Sequence, residues 1–239
     1  MRDGPGGSTM VVTREELVQG TGIVGRSRVE RRDVVVDAGG VRLPGVVAIP
    51  EQARGVVVFA HGSGSSRLSR RNEFVAGELN AAGLATLLFD LLIGEEERDR
   101  SNVFDVGLLA GRLGAATGWV EEQPGLRRLP IGYFGASTGA AAALWAAADR
   151  AAVGAVVSRG GRPDLAAARL PEVRAPTLLV VGELDTVVLE LNRAALGLLV
   201  CPAELRVVDG ATHLFEEPGT LAQAALHARD WFVRHLQGS

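Results

Sequence analysis

The chain contains no lysine; all 25 of its basic residues are arginine. Chemistry that runs through a lysine Schiff base is therefore excluded. It has one cysteine, Cys201, so no intrachain disulfide can form. One tyrosine and three tryptophans are too few for a platform on which nucleic-acid bases could stack. An excess of either charge is missing as well. The net charge of −3 offers no electrostatic reason to expect nucleic acid or a membrane surface. No apolar run approaches the roughly 18 residues of a membrane span. Met1 to Val12 is polar and glycine-rich, without the apolar stretch of a signal peptide. The four histidines are dispersed and have no cysteine partners at metal-ligand spacing. The expectation is a cytoplasmic protein with no metal and no cofactor.

What remains is ordinary globular material. At 239 residues, 47% of them hydrophobic, the chain can bury one large α/β core. Residues 1–32 carry little pattern and read as a flexible or partly ordered arm. Residues 33–239 read as a single domain. Val34–Val36 and Val41–Ile49 flank Asp37-Ala38-Gly39-Gly40, a hairpin signal. From residue 55 onward, apolar runs alternate with helical patterns. The runs are 55–60, 84–89, 131–134, 153–157, 177–181 and 205–208. The helical patterns are 72–82, 103–121, 140–148, 162–170, 186–199 and 216–236. That alternation predicts a mostly parallel, twisted sheet with helices on both faces and an antiparallel edge hairpin.

Gly135-Ala136-Ser137-Thr138-Gly139 sits between a strand pattern and a helix pattern. This is the context of a nucleophile elbow, in which a tight turn lifts a serine hydroxyl above the sheet. Glycines two before and two after the serine let strand and helix pass without side-chain clash. Asp185 follows the strand 177–181, and His213 follows the last strand, so both belong at the carboxyl edge of the sheet. The chemistry needs these three types. A serine hydroxyl is a poor nucleophile at neutral pH, an imidazole must carry its proton, and a carboxylate must orient the imidazole. Asp90, also at a strand end, is a rival acid, but it precedes the serine, and the chain order Ser137, Asp185, His213 is the one such sheets use. The oxyanion donors expected are the N–H groups of Thr138 and Ser63, with Gly64 as second choice to Ser63. His61 is expected to orient the oxyanion loop by hydrogen bonding. His227 and His235 are expected at the surface.

These motifs resemble the α/β-hydrolase superfamily, and most of all its dienelactone-hydrolase-type members. The resemblance covers roughly residues 34–236. It rests on His61-Gly62-Ser63-Gly64-Ser65-Ser66, the elbow pentapeptide, Gly182-Glu183-Leu184-Asp185 and Ala211-Thr212-His213-Leu214-Phe215. It implies the α/β-hydrolase fold and cofactor-free hydrolysis through an acyl-enzyme. Dienelactone hydrolases proper use a cysteine nucleophile, whereas this chain has Ser137. That departure favours a general carboxylic ester over dienelactone. Cys201, after a helix and next to Pro202, cannot replace it.

Only 19 residues, 158–176, separate two consecutive strands after the elbow helix, which leaves no room for a large cap. The expected partner is a small, soluble ester or lactone. Neither nucleic acid nor membrane is expected, and a homodimer is compatible with the sequence. Gly64, Arg67, Arg159 and Leu214 are candidate substrate contacts. The ordinary expectation for the arginines is ion pairing with Asp90, Asp105 or the glutamates of 95–97; the alternative is a clamp on a substrate carboxylate. A thioesterase, lactonase or small-amide hydrolase would use the same parts. From other classes, a catalytically silent partner module, or a subunit docked through residues 1–32, also remains open.

Overall fold

A computed structural model describes residues 28–236. Most of the expected N-terminal arm lies outside the described residues. Its last residues belong to the sheet, because the first strand, β1, begins at Val29. β1 (Val29–Ala38) and β2 (Val41–Pro50) form the hairpin, paired from Val29 opposite Pro50 to Ala38 opposite Val41. Its two-residue turn places Gly39 and Gly40 at φ of 69° and 92°, a conformation that suits glycine. Asp37 Oδ1 accepts the Gly40 N–H at 2.8 Å and holds the turn.

Six further strands follow: β3 (Gly55–Ala60), β4 (Leu84–Phe89), β5 (Ile131–Ala136), β6 (Val153–Arg159), β7 (Thr177–Gly182) and β8 (Ala203–Val208). The sheet order is β1-β2-β4-β3-β5-β6-β7-β8. β1 and β2 run antiparallel at one edge, and the other six are parallel. Every residue of β3, β4, β5 and β7 is buried, which is why those strands read as continuous apolar runs rather than alternations.

Two apolar layers cover the sheet. On one face α3 (Val106–Glu122) and α4 (Thr138–Asp149) pack through Leu109, Leu113, Val120, Ala143 and Leu144. On the other, α1 (Arg70–Ala81) and α6 (Thr220–His235) pack through Val75, Leu79, Ala225 and Phe232.

Three elements differ from the sequence expectation. The long helix expected over 103–121 is two, α2 (Arg100–Phe104) and α3, because Asp105 breaks the ladder and caps the second by accepting the Leu108 N–H at 2.9 Å. The helix expected over 162–170 is a 3-10 helix, Pro163–Glu172, begun by one proline and containing another. It packs flat on the domain through Pro163, Ala166 and Leu170, so no cap rises from this segment. The closing helix starts at Thr220 rather than 216, after Gly219 at φ 83°. α5 (Thr186–Leu196) completes the chain of crossovers.

The carboxyl edge of the parallel strands is closed by contacts of backbone on backbone. A Cβ added to Gly182, at the end of β7, would stand 2.3 Å from the Ala211 carbonyl oxygen. That approach brings the loop carrying Asp185 against the loop carrying His213. Leu184 N–H donates to Ala211 O at 2.9 Å, Glu183 N–H to Val208 O at 3.0 Å, and the Glu183 carboxylate accepts the Gly210 N–H at 2.8 Å. The substitution Gly182→Ala is expected to force these loops apart and to lower stability by about 1–3 kcal/mol or more, as overpacking against fixed backbone does. Urea denaturation checks it; an unchanged midpoint and slope would show that the loops can separate freely.

Candidate active site

Ser137 stands between β5 and α4 with φ 52° and ψ −122°, in a region that only glycine visits easily. The strain, on the order of 1–3 kcal/mol, is imposed by packing on both sides. A Cβ on Gly135 would lie 2.4 Å from Ala140 Cα, and one on Gly139 would lie 2.2 Å from Ala60 O. Strand and helix are therefore too close for any side chain there. Three hydrogen bonds fix the serine backbone. Its N–H donates to Arg159 O at 3.2 Å, and its carbonyl accepts from Ala140 and Arg162 N–H at 3.1 Å each. The serine itself is half-buried, open to a ligand on one side.

Asp185 and His213 meet as the sequence order predicts. His213 Nδ1 and Asp185 Oδ2 are 2.6 Å apart, with the carboxylate largely buried and the imidazole partly exposed. This contact assigns the proton to Nδ1 and leaves Nε2 as the free base. Gly160, the residue after β6, lies beside the ring: its Cβ position is 3.6 Å from His213 Nδ1 and 3.3 Å from His213 O. Through Arg159 the same strand end holds the Ser137 N–H. Among the described residues, the hydrogen bonds of His213 run to Asp185 and not to Ser137. Unliganded sites commonly hold the nucleophile–base contact long and tighten it on substrate.

The loop after β8 is strained on the far side of the imidazole. Phe215 sits at φ 56°, buried at 2% exposure, with its ring edge against Gly160. Thr212 pins the loop by donating its N–H (3.1 Å) and its hydroxyl (2.5 Å) to Glu217. Those bonds hold the Glu217 carboxyl below its usual range. Sequence reasoning gave neither Phe215 nor Glu217 a role. Phe215 belonged to a quoted motif, but nothing in the residue types announces a positive φ at a phenylalanine.

At the oxyanion position, the Thr138 N–H opens the first turn of α4, where free amides and the helix dipole favour negative charge. Ser63 is exposed, and its N–H donates to Thr138 Oγ1 at 2.9 Å. That amide reaches a substrate oxygen only once the threonine hydroxyl releases it. Gly64 is exposed at φ 66° with no atom within 4 Å of its Cβ position. A Cβ on Gly62 would stand 2.9 Å from Ser137 Cβ, so this loop runs directly against Ser137.

The other candidates sort themselves out. Asp90 is not free to serve as the acid. Its Oδ1 accepts the Arg67 N–H at 2.6 Å and its Oδ2 pairs with the Arg67 guanidinium. Arg67 is thereby a brace for the oxyanion loop. Arg71 reaches Glu216 at 3.4 Å, in an exposed pair. Leu214 is exposed beside His213. Arg159 has none of the expected carboxylate partners. Cys201 lies at the amino-terminal end of β7 and β8, its thiol 3.7 Å from Thr177 Oγ1, at the edge opposite the site. His227 and His235 are half-buried rather than at the surface, the latter with its ring centre 4.4 Å from that of Trp231 and tilted 54° to it. Among the described residues no group of histidine, cysteine and carboxylates could hold a metal ion, and no helix is long and apolar enough to cross a membrane.

The dienelactone hydrolase family profile matches residues 43–234, which include Ser137, Asp185 and His213. The chain belongs to the dienelactone hydrolase family. It is 51% identical to a dienelactone hydrolase from Anabaena variabilis of known crystal structure, over 89% of this chain and 100% of that one, with a TM-score of 0.84. Two curated relatives from Mycobacterium tuberculosis, provisionally named phosphoribosyl transferase, are 62% identical over 207 residues. That match covers 86% of this chain but only 47% of theirs, so the chain spans about half the length of the curated relatives it matches. The fold is also shared with Est1E from Butyrivibrio proteoclasticus, at 16% identity and a TM-score of 0.73 over 85% and 98% of the two chains. A cold-adapted esterase from an Arctic intertidal metagenomic library is similar at 19% identity and 0.71, over 87% and 95%.

His61 ties the loop after β3 to the segment that follows β4. Its Nε2 accepts the Leu91 N–H at 3.0 Å, so Nδ1 carries the proton and donates to Gly62 O at 3.0 Å. Burial pushes its pKa below the ordinary value, and the hydrogen bond to Gly62 only partly opposes this. The folded pKa is thus the lower one. As pH falls through the ordinary histidine value of about 6.5, the unfolded chain takes up this proton first and stability drops. The wild type should therefore lose stability between pH 7 and pH 5. His61→Gln, which keeps one acceptor and one donor but does not titrate, should lose less over that interval. Urea midpoints at several pH values decide it; identical slopes would mean that His61 is not the group responsible.

Proposed function

We propose that the chain is a serine hydrolase of carboxylic esters acting through an acyl-enzyme. The observation that carries this reading is the 2.6 Å contact between His213 Nδ1 and Asp185 Oδ2, at the sheet edge where Ser137 is held in its elbow. Ser137 Oγ attacks the ester carbonyl carbon while His213 Nε2 takes the hydroxyl proton. Asp185 accepts the Nδ1–H and stabilises the imidazolium that results. The carbonyl electron pair moves onto oxygen and is held by the Thr138 N–H, with Ser63 as the second donor once released from the threonine hydroxyl. Collapse expels the alcohol, which takes the proton from Nε2. A water molecule then repeats the sequence on the acyl-enzyme and frees the acid. The same parts serve a thioester, lactone or small amide, which differ only in the leaving group.

The site is open. The segment between β6 and β7 lies flat on α4 as a 3-10 helix instead of rising as a cap. Short, soluble aryl esters should be hydrolysed without a lag and without needing micelles. A fluorophosphonate probe should label the wild type at Ser137. Ser137→Ala should abolish labelling and lower turnover by roughly 10,000-fold or more. The test is a panel of chromogenic esters of rising chain length, run on both proteins alongside the probe. Labelling at another residue, or equal turnover by the alanine variant, would remove the assignment.

A further inference from the structure

The turn after β6 touches two of the three residues of the site. Arg159 O accepts the Ser137 N–H and the Arg162 N–H donates to Ser137 O, so the turn grips the serine backbone on both sides. Gly160 lies against the His213 ring and donates its own N–H to Val180 O at 2.7 Å. Gly161 is seated so closely that a Cβ there would overlap Ser158 Oγ and Ala140 Cβ. Close fit at Gly161 and a φ of 50° at Gly160 explain why the turn is built from two glycines. The consequence is a segment with little conformational preference of its own.

A side chain from α5 reaches across to hold this turn. Asn192 is fully buried at 0% exposure. Its Nδ2 donates to Gly161 O at 3.0 Å and to Val188 O, one turn back along its own helix, at 2.8 Å. Two carbonyl partners on one atom identify it as the amide nitrogen, since only an –NH2 group has two hydrogens to give. The other end of the amide, Oδ1, is sealed from solvent and accepts from nothing among the described residues. Asparagine here disfavours the fold twice, as a weak helix former and as the bearer of a bare buried oxygen. A buried polar group left in that state calls for a reason other than stability. The position of α5 supplies one. The helix begins immediately after Asp185, whose carboxylate does not cap it but reaches His213. Asn192 stands about two turns further on. One helix thus carries the acid at its start and, through Asn192, grips the turn that touches Ser137 and His213.

We propose that Asn192 is a positioning residue of the site: its amide holds α5, and with it Asp185, in register with the turn 159–162 that fixes Ser137 and His213. The inference rests on the serine-hydrolase reading and adds to it how the three groups are kept together. Asn192 touches no substrate and acts through Gly161. Without its amide the two-glycine turn is free to drift, which displaces the serine and the imidazole relative to the acid. A misplacement of about 1 Å is enough to lower a rate roughly 100-fold. Substrate binding, which other surfaces provide, changes little.

The test uses 4-nitrophenyl acetate and a fluorophosphonate probe on the whole chain. Asn192→Leu keeps the branching of the side chain and removes the donor; Asn192→Ala guards against crowding by the larger methyl groups. In both, kcat and the rate constant of labelling at Ser137 should fall together by roughly 10- to 100-fold, with KM held within about threefold. Asn192→Gln, which carries the amide on a longer stem, should recover part of that loss. The fraction of protein that finally labels should stay at the wild-type level. The urea midpoint of Asn192→Leu should stay close to that of the wild type, because the bare carbonyl oxygen goes with the donor. A residue of the fold alone would behave differently: the labelled fraction and the midpoint would drop while each labelled site kept its rate. That pattern, an unchanged kcat in Asn192→Leu and Asn192→Ala, or no recovery in Asn192→Gln would overturn the proposal. A wild type that neither labels nor turns over would sink the serine-hydrolase reading, and this inference with it. A wild type that does both confines the outcome to Asn192.

Discussion

Everything at this site depends on how closely backbone can approach backbone at the carboxyl edge of the sheet. Gly139 presses against the β3 carbonyls, and Gly135 against the first turn of α4. Between them Ser137 has no relaxed conformation to adopt, so its φ is forced positive. The same device is repeated two strands away, where Gly182 sits on the Ala211 carbonyl and so couples the turn of Asp185 to the turn of His213. Neither contact survives a β-carbon. Both trade backbone comfort for the convergence of groups that are 48 and 28 residues apart in the chain, counted from Asp185 to Ser137 and to His213. The arrangement of Ser137, Asp185 and His213 is thus a consequence of glycine placement before it is a consequence of the three side chains themselves.

The charges around the nucleophile are graded by what each can reach. Asp90 stands at a strand end like Asp185, yet it is bound by a main-chain N–H and by a guanidinium from Arg67. It stiffens the oxyanion loop. Asp185 contacts the His213 imidazole instead. His61 is of the same residue type as His213, but burial lowers its pKa, and a donor on one ring nitrogen (Leu91 N–H) with an acceptor on the other (Gly62 O) suits the neutral ring. Two aspartates and two histidines therefore divide by environment into one pair in mutual contact, Asp185 and His213, and two groups held by other neighbours, Asp90 and His61.

The periodic part of this arrangement was readable from the residues alone. Continuous apolar runs alternating with helical patterns lead to the parallel sheet, and Gly39-Gly40 leads to the hairpin. The spacing of Gly135, Ser137 and Gly139 leads to the elbow. What escaped was set by interactions that no local pattern carries. Asp105 looks like any helix residue until its side chain caps a new helix. Nothing near Ser63 in the sequence announces that Thr138 Oγ1, 75 residues on, accepts its N–H. The arginines looked alike in sequence. Only tertiary structure separates Arg67, paired with Asp90, from Arg159, which is buried and has no ion-pair partner among the described residues.

The serine at the elbow sharpens what the rest of the site must supply. A cysteine nucleophile can wait as a thiolate once its pKa is lowered, and then needs its histidine chiefly as a counter-charge. A serine hydroxyl gives up its proton only during attack, so the base must be neutral, correctly tautomeric and aimed as the bond forms. The buried Asp185 carboxylate on Nδ1, the Gly160 backbone against the ring, and the Thr212–Glu217 bonds that pin the loop all restrict how that imidazole can sit. On the serine-hydrolase reading proposed above, the chain would pair a more demanding nucleophile than cysteine with an imidazole held on three sides. The two features are consistent with one another, because a loosely held histidine would leave Ser137 protonated and inert.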